Sequence, residues 1–121
     1  MPLPRIATAA GKAALLGVAA GSDDRETLAT AVRWVLQELN RVAPGHSVEV
    51  RVPPFGAVQI VEGPGHTRGT PPNVIELDAR TLVSLATGNE TWSAAVARGA
   101  VSASGTRATL ADLLPLADLP E

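Results

Sequence analysis

The chain has 121 residues, of which 45% are apolar, and a formal net charge of −2. That length fits one domain burying roughly two-thirds of its unfolded surface. The lack of cysteine excludes disulfides, thiolate zinc sites and a cysteine nucleophile, and the slightly acidic balance speaks against nucleic-acid binding by bulk charge.

The apolar complement is unusual. It holds 21 alanines, 13 valines and 14 leucines but only three aromatics, Trp34, Phe55 and Trp92. Arginine outnumbers lysine nine to one, a bias that fits a high-GC bacterial coding sequence.

Residues 1–5 read as a tail and residues 6–43 as helical. Ile6 to Ala20 favours helix through its alanine content, though its apolar residues keep no clean period. Its longest apolar stretch, Ala13 to Ala20, has eight residues and includes Gly17, against the ~20 a spanning helix needs. We read it as an alanine-rich helix of a cytoplasmic protein, not as a signal peptide core.

The strongest local signal follows. Asp23 with Glu26 three residues on forms a capping box. Leu28, Val32, Val35, Leu39 and Val42 then recur at spacings of 4, 3, 4 and 3, drawing one apolar stripe along a helix. Pro44 and Gly45 stop it. Trp34 lies about 120° off that stripe. Two readings stand for it: the first helix packs over it, or it is an exposed anchor for a partner, since tryptophan is enriched in interface hot spots.

Residues 46–105 read as a sheet with inserted helices. Ser47 to Val52 alternates strictly, with Val48, Val50 and Val52 on one face, the pattern of a half-buried strand. Pro53, Pro54 and Gly56 break it, and Ala57 to Val61 forms a second strand with Val58 and Ile60 together. Phe55 sits at the tip of that hairpin. Gly63 to Pro72 is a loop rich in Gly, Pro and Thr. Its cluster His66-Thr67-Arg68-Gly69-Thr70 either holds an anionic head group or satisfies its own backbone.

Val74 to Leu77 is a short third strand. Asp78 caps a helix over Leu82, Val83, Leu85 and Ala86, which Gly88 ends in the left-handed conformation. Asn89 or Thr91 starts another helix, with Trp92, Ala95 and Val96 on one side, and Gly99 ends it. Ala100 to Ser104 is the last strand. Thr106 or Thr109 caps a final helix within residues 106–115, over Leu110, Leu113 and Leu114.

Catalytic patterns do not emerge. No serine sits in a Gly-x-Ser-x-Gly elbow. His46 and His66 lie 20 residues apart in loops, without helical metal-site spacing. Glycines 63, 65 and 69 lack the spacing of a dinucleotide fingerprint. Glu49, Glu62, Glu76 and Asp78 suit ion pairing with arginines better than acid–base catalysis. No enzymatic activity, metal or cofactor is therefore expected.

The run Asn73-Val-Ile-Glu-Leu-Asp-Ala-Arg-Thr-Leu-Val-Ser-Leu-Ala-Thr-Gly88, with Thr91-Trp-Ser-Ala-Ala-Val-Ala-Arg-Gly-Ala-Val-Ser-Ala-Ser-Gly105, resembles the C-terminal half of the sterol carrier protein-2 (SCP2) family. Gly88, Ala95, Gly99, Val101 and Gly105 occupy that pattern's positions. With Arg51-Val-Pro-Pro-Phe-Gly-Ala-Val and His66-Thr-Arg-Gly-Thr-Pro-Pro-Asn-Val, the whole chain resembles the actinobacterial branch of sterol carrier family proteins.

The resemblance implies an α+β fold: an antiparallel or mixed sheet of four to five strands with helices packed on one face. It implies a hydrophobic tunnel between them for sterols, fatty acyl chains or acyl-CoA. Bacterial relatives also occur as accessory domains of mycothiol-dependent or acyltransferase enzymes. On this reading Val50, Val52, Ile60, Leu82, Leu85 and Val96 line the sheet–helix space, with His66 or Arg68 near a polar head. The protein is then a lipid carrier without catalysis, meeting membranes transiently. The alternative is an interaction or oligomerisation module with a filled core, a homodimer for instance, that uses Trp34 or Phe55 at its surface.

Overall fold

The computed structural model describes residues 5–63 and 71–116. Its elements run α1 (Thr8–Ala19), α2 (Arg25–Val42), β1 (Val48–Val52), β2 (Gly56–Ile60), β3 (Asn73–Leu77), α3 (Ala79–Thr87), α4 (Trp92–Ala97) and β4 (Val101–Ser104). The four strands form one mixed sheet in the order β2-β1-β3-β4. This is the α+β architecture expected from the sequence, with four strands among the described residues.

The hairpin explains the mixed topology. β1 pairs antiparallel with β2, Val48 opposite Ile60, and parallel with β3, Val48 opposite Asn73. Because β2 reverses the chain, β3 starts at the same end of the sheet where β2 finishes. A parallel neighbour of β1 is thus reached without the helical crossover that directly connected parallel strands need. β3 then pairs antiparallel with β4, Ile75 opposite Ala103.

Alternation divides the sheet into two faces. Val48, Val50, Val52, Ile60, Ile75 and Leu77 are all buried, at 0–3% exposure. The intervening Glu49, Arg51, Gln59 and Glu76 are half-buried or exposed. Arg51 reaches two residues back along its own strand to Glu49, at 2.7 Å, rather than across to a carboxylate on another strand. One face therefore carries the core and the other is polar.

Helix α2 packs on the hairpin, and α1 packs on α2 and α3. The periodic stripe holds through Val32, Val35 and Leu39, each 0% exposed, but Val42 emerges at 47%. Covered on two sides, α2 also buries Ala31, Trp34 and Leu36. The α2 cap is one residue later than the sequence pattern suggests. Asp24, not Asp23, is the N-cap, and its Oδ2 accepts from Thr27 N at 3.0 Å and Thr27 Oγ1 at 2.8 Å. Thr27 donates both of these bonds, and Asp24 N donates to Ser22 Oγ at 3.3 Å in place of the Glu26 carboxylate of the expected box. The Thr27 bonds hold the Asp24 carboxyl below its ordinary value, the side-chain bond to Thr27 contributing most.

α3 follows the sequence closely. Asp78 Oδ1 accepts from Thr81 N at 2.8 Å, and Gly88 caps the end at φ 82°, where a Cβ is disfavoured. Thr91 caps α4, its hydroxyl accepting from Ala94 N at 3.1 Å. Buried Asn73 ties strands together: its Nδ2 donates to Ser47 O at 2.8 Å and its Oδ1 accepts from Arg107 N at 2.9 Å.

The expected C-terminal helix is absent. Residues 106–116 make turns, with Leu110 fully buried and Leu116 N donating to Ala86 O at 2.9 Å. A helix between Thr109 and Pro115 would have little room to repay its nucleation cost, and proline disfavours helical backbone at Leu114.

Candidate functional site

The apolar groove with the clearest binding character lies where α2 meets the edge strand. Leu36 forms its buried base and Phe55, Gly56 and Val58 its hairpin side, with Ile6 and Arg33 completing the wall. The space measures about 190 Å³. Hydrogen bonds hold its frame. Gln37 closes a reciprocal pair with Ile6, its Nε2 donating to Ile6 O and its Oε1 accepting from Ile6 N, both at 2.9 Å. Arg33 Nε donates to Phe55 O at 3.3 Å. The Arg25 guanidinium sits 5.5 Å from the Phe55 ring centre, within cation–π reach. An apolar slot thus ends beside two guanidinium groups.

The structure distributes the sequence-predicted residues unevenly. Val50, Val52, Ile60, Leu82 and Leu85 belong to one buried cluster, each at 0–1% exposure. Val50 stands directly opposite Val58 of the groove, so this buried cluster begins one strand inward from the opening. Val96 does not join it. At 45% exposure it faces outward, because α4 turns the adjacent Ala95 inward at 0%.

Trp34 is not an exposed anchor: it is 2% exposed, covered by α1. Gly11 of α1 lies so close that a side-chain methyl there would overlap the indole ring. Phe55 is half-buried against the core at the hairpin turn. His66 and Arg68 lie outside the described residues.

Sequence reading missed Ile6, Arg33, Leu36 and Val58 as site residues. Leu36 carried a legible signal, since it stands four residues after Val32 and widens the apolar stripe toward one side. Arg33 carried none, because only the folded hairpin brings Phe55 to it.

A second polar cluster is structural. Arg98 makes a two-pronged pair with Glu90, Nε to Oε2 at 2.6 Å and Nη2 to Oε1 at 2.8 Å, and its Nη2 also reaches Thr81 Oγ1 at 3.4 Å. The hydrogen bonds to Arg98 hold the Glu90 carboxyl below its ordinary value, and those to Glu90 push the Arg98 guanidinium up. This clasp ties the end of α4 to the α3–α4 turn. Among the described residues no group of three or more His, Asp or Glu is placed to hold a metal ion. Among the same residues no helix is long and apolar enough to cross a membrane.

The family model for bacterial SCP orthologs, SCP denoting sterol carrier protein, matches residues 24–116. The chain belongs to this family. The match begins at the α2 N-cap and takes in the whole sheet and the α2–β2 groove except Ile6. Family membership suggests a lipid-binding or carrier role. Helix α1 precedes the matched region. No curated protein matches the chain.

Proposed function

We propose that this protein binds and carries a chain-like lipid without catalysis, admitting it between α2 and the β1–β2 hairpin. The observation that carries this reading is the apolar groove bounded by Leu36, Phe55 and Val58, with Arg33 on its wall and Arg25 against Phe55. Its 190 Å³ equals about six water volumes, below the roughly 300 Å³ where complete ligand pockets begin. It suits a stretch of acyl chain better than a polycyclic body.

A longer guest enters by parting Leu36 from Val58, which brings it against Val50 and Ile60 and then toward Val52, Leu82 and Leu85. Each buried methylene contributes about 0.8 kcal/mol. A carboxylate or phosphate head would stay at the rim beside Arg33 and Arg25, with His66 and Arg68 as further head-group candidates. The setting we propose is cytoplasmic, with transient membrane contact for loading.

The test is native mass spectrometry of the purified protein together with titration of a fluorescent fatty acid. We expect bound lipid mass and saturable binding, weakened at least about tenfold by Val58→Glu, which sets a charge on the apolar wall. A clean protein mass with no saturable binding refutes the carrier reading. The complete burial of Val50, Ile60 and Leu82 favours a second reading, an interaction module that uses Phe55. Light scattering decides it: a monomer unchanged by Phe55→Ala removes homodimerisation from consideration.

A further inference from the structure

Helix α2 and the edge strand β2 run side by side, and successive turns of α2 meet successive residues of β2. Arg33 Nε donates to Phe55 O at 3.3 Å, and Leu36 lies beside Gly56. Further on, Asn40 Nδ2 donates to Gln59 O at 3.0 Å, and Ala43 O accepts from Val61 N at 2.7 Å. The groove opens along the part of this seam that runs from Arg33 to Gln37.

The two ends of the seam are fastened by different physics. At the far end Val61 has φ 66°, a left-handed conformation that a β-branched residue rarely adopts and keeps only where its surroundings over-determine it. Here they do. Besides the bond to Ala43, the Val61 carbonyl accepts from Ser47 N at 3.1 Å and from Ser47 Oγ at 2.6 Å. Gly45 lies so close that a Cβ there would collide with that carbonyl. Ser47 is itself buried, and its own carbonyl accepts from Asn73. All of these bonds join neutral groups, and the neighbouring Ile60 is 0% exposed.

The near end is held by charge. The exposed Arg33 makes the long bond to Phe55 O, and the exposed Arg25 stands over the Phe55 ring at 5.5 Å. Gly56, Ala57 and Val58 are half-buried or exposed, so moving them uncovers little core. A guanidinium bonds a carboxylate more strongly than a neutral carbonyl, and with two parallel N–H groups rather than one. An anion at the rim therefore competes for the groups that fasten this end and leaves the far end untouched.

We propose that Phe55 to Val58 form a gate over the groove, hinged at Val61 and latched by Arg33, and that an anionic head group releases the latch. The ligand rests on the carrier reading, whereas the gate is a property of the free protein. Opening uncovers Leu36, the buried base of the groove, and supplies the parting of Leu36 from Val58 that a long chain needs. A ligand shifts such an equilibrium only by binding one state better. A carboxylate does so, because it takes Arg33 Nε only once Phe55 O has let it go. An uncharged chain gains nothing from Arg33 and meets the gate shut.

The chain has no cysteine, so Leu36→Cys supplies a single thiol whose reaction with an aromatic disulfide reagent reports opening. Val58→Cys on the facing wall serves if Leu36→Cys folds poorly. In the free protein Arg33→Ala should raise the labelling rate about fivefold or more, while labelling of Ile60→Cys beside the hinge stays unchanged. In stopped flow the fluorescent fatty acid should associate about fivefold or more faster than the alcohol of the same chain, and Arg33→Ala should remove the difference by speeding the alcohol. Labelling at Leu36→Cys that does not respond to Arg33→Ala overturns the gate, as does an equal rise at Ile60→Cys, the mark of general loosening. Equal association of acid and alcohol with the parent protein, or a difference that survives Arg33→Ala, overturns release by the head group. If neither probe binds while the labelling result holds, the carrier reading and the head group's part fall together and the gate stands.

Discussion

Helices α1 and α2 lie against each other, yet their sequences hold them in opposite ways. α2 carries its own instructions: a side-chain cap at Asp24, and an apolar stripe whose members Val32, Val35 and Leu39 are wholly buried. α1 has no side-chain cap, and its buried residues are Gly11, Leu15 and Val18. That is a narrow stripe, masked in sequence by the alanines and Leu16 around it. What places α1 is the indole that α2 raises toward it and the missing side chain at Gly11 that receives it. An amphipathic helix is positioned by its own pattern, whereas one without a clear apolar period is positioned by the shape of its neighbour.

The strongest way to break this arrangement is Trp34→Ala. It empties the α1–α2 contact and should cost about 3–5 kcal/mol of unfolding free energy, read as a lower urea midpoint. A loss below about 1 kcal/mol would show that α1 contributes little to the core.

Next in size is a matched pair within α1. Gly11→Ala forces a methyl into the indole ring and should destabilise by about 1–3 kcal/mol. At Gly17 a Cβ meets only Thr27 Cγ2, at 3.6 Å. Gly17→Ala should therefore stabilise, by up to about 1 kcal/mol of helix propensity. Thermal unfolding of both variants checks the opposite signs, and equal signs would refute the close-approach account of Gly11.

The smallest effect concerns the α2 cap and sharpens the contrast. Its carboxyl titrates below the ordinary 3.8 in the folded protein. The stability it adds is thus complete above that value and is lost as the pH falls through the lower, folded one. Asp24→Ala should be less stable than the parent at about pH 5, with the gap closing under stronger acid. A gap that persists in acid would mean that the charge does not matter.

These contrasts show how much was legible beforehand. The hairpin was, because Val48, Val50 and Val52 alternate with polar residues and two prolines break the run. α3 was, because Asp78 and Gly88 mark its ends through local hydrogen bonding and backbone freedom. The C-terminal helix was misread, since three leucines at helical spacing look the same in a helix and in turns that drop Leu110 into the core. For the site, the sequence offered Val50, Val52 and Ile60, which the fold places in the buried core beside the groove. It did not offer the groove, whose parts come from Ile6, α2 and the hairpin.

The sequence by itself determined the elements whose information is local: the capped, striped α2, the valine-faced hairpin, α3 with its two end signals, and the family-like run from Asn73 to Gly105. Local patterns suffice there because capping, alternation and turn chemistry act over a few residues. Only the tertiary structure decided the fate of the aromatics and the opening between α2 and the hairpin. Trp34 went inside because α1 offers a glycine across from it. Phe55 stayed half-covered because Arg25 and Arg33, distant in sequence, come to the hairpin turn. Cavities are spaces between elements, and how closely two elements approach depends on the side chains of both.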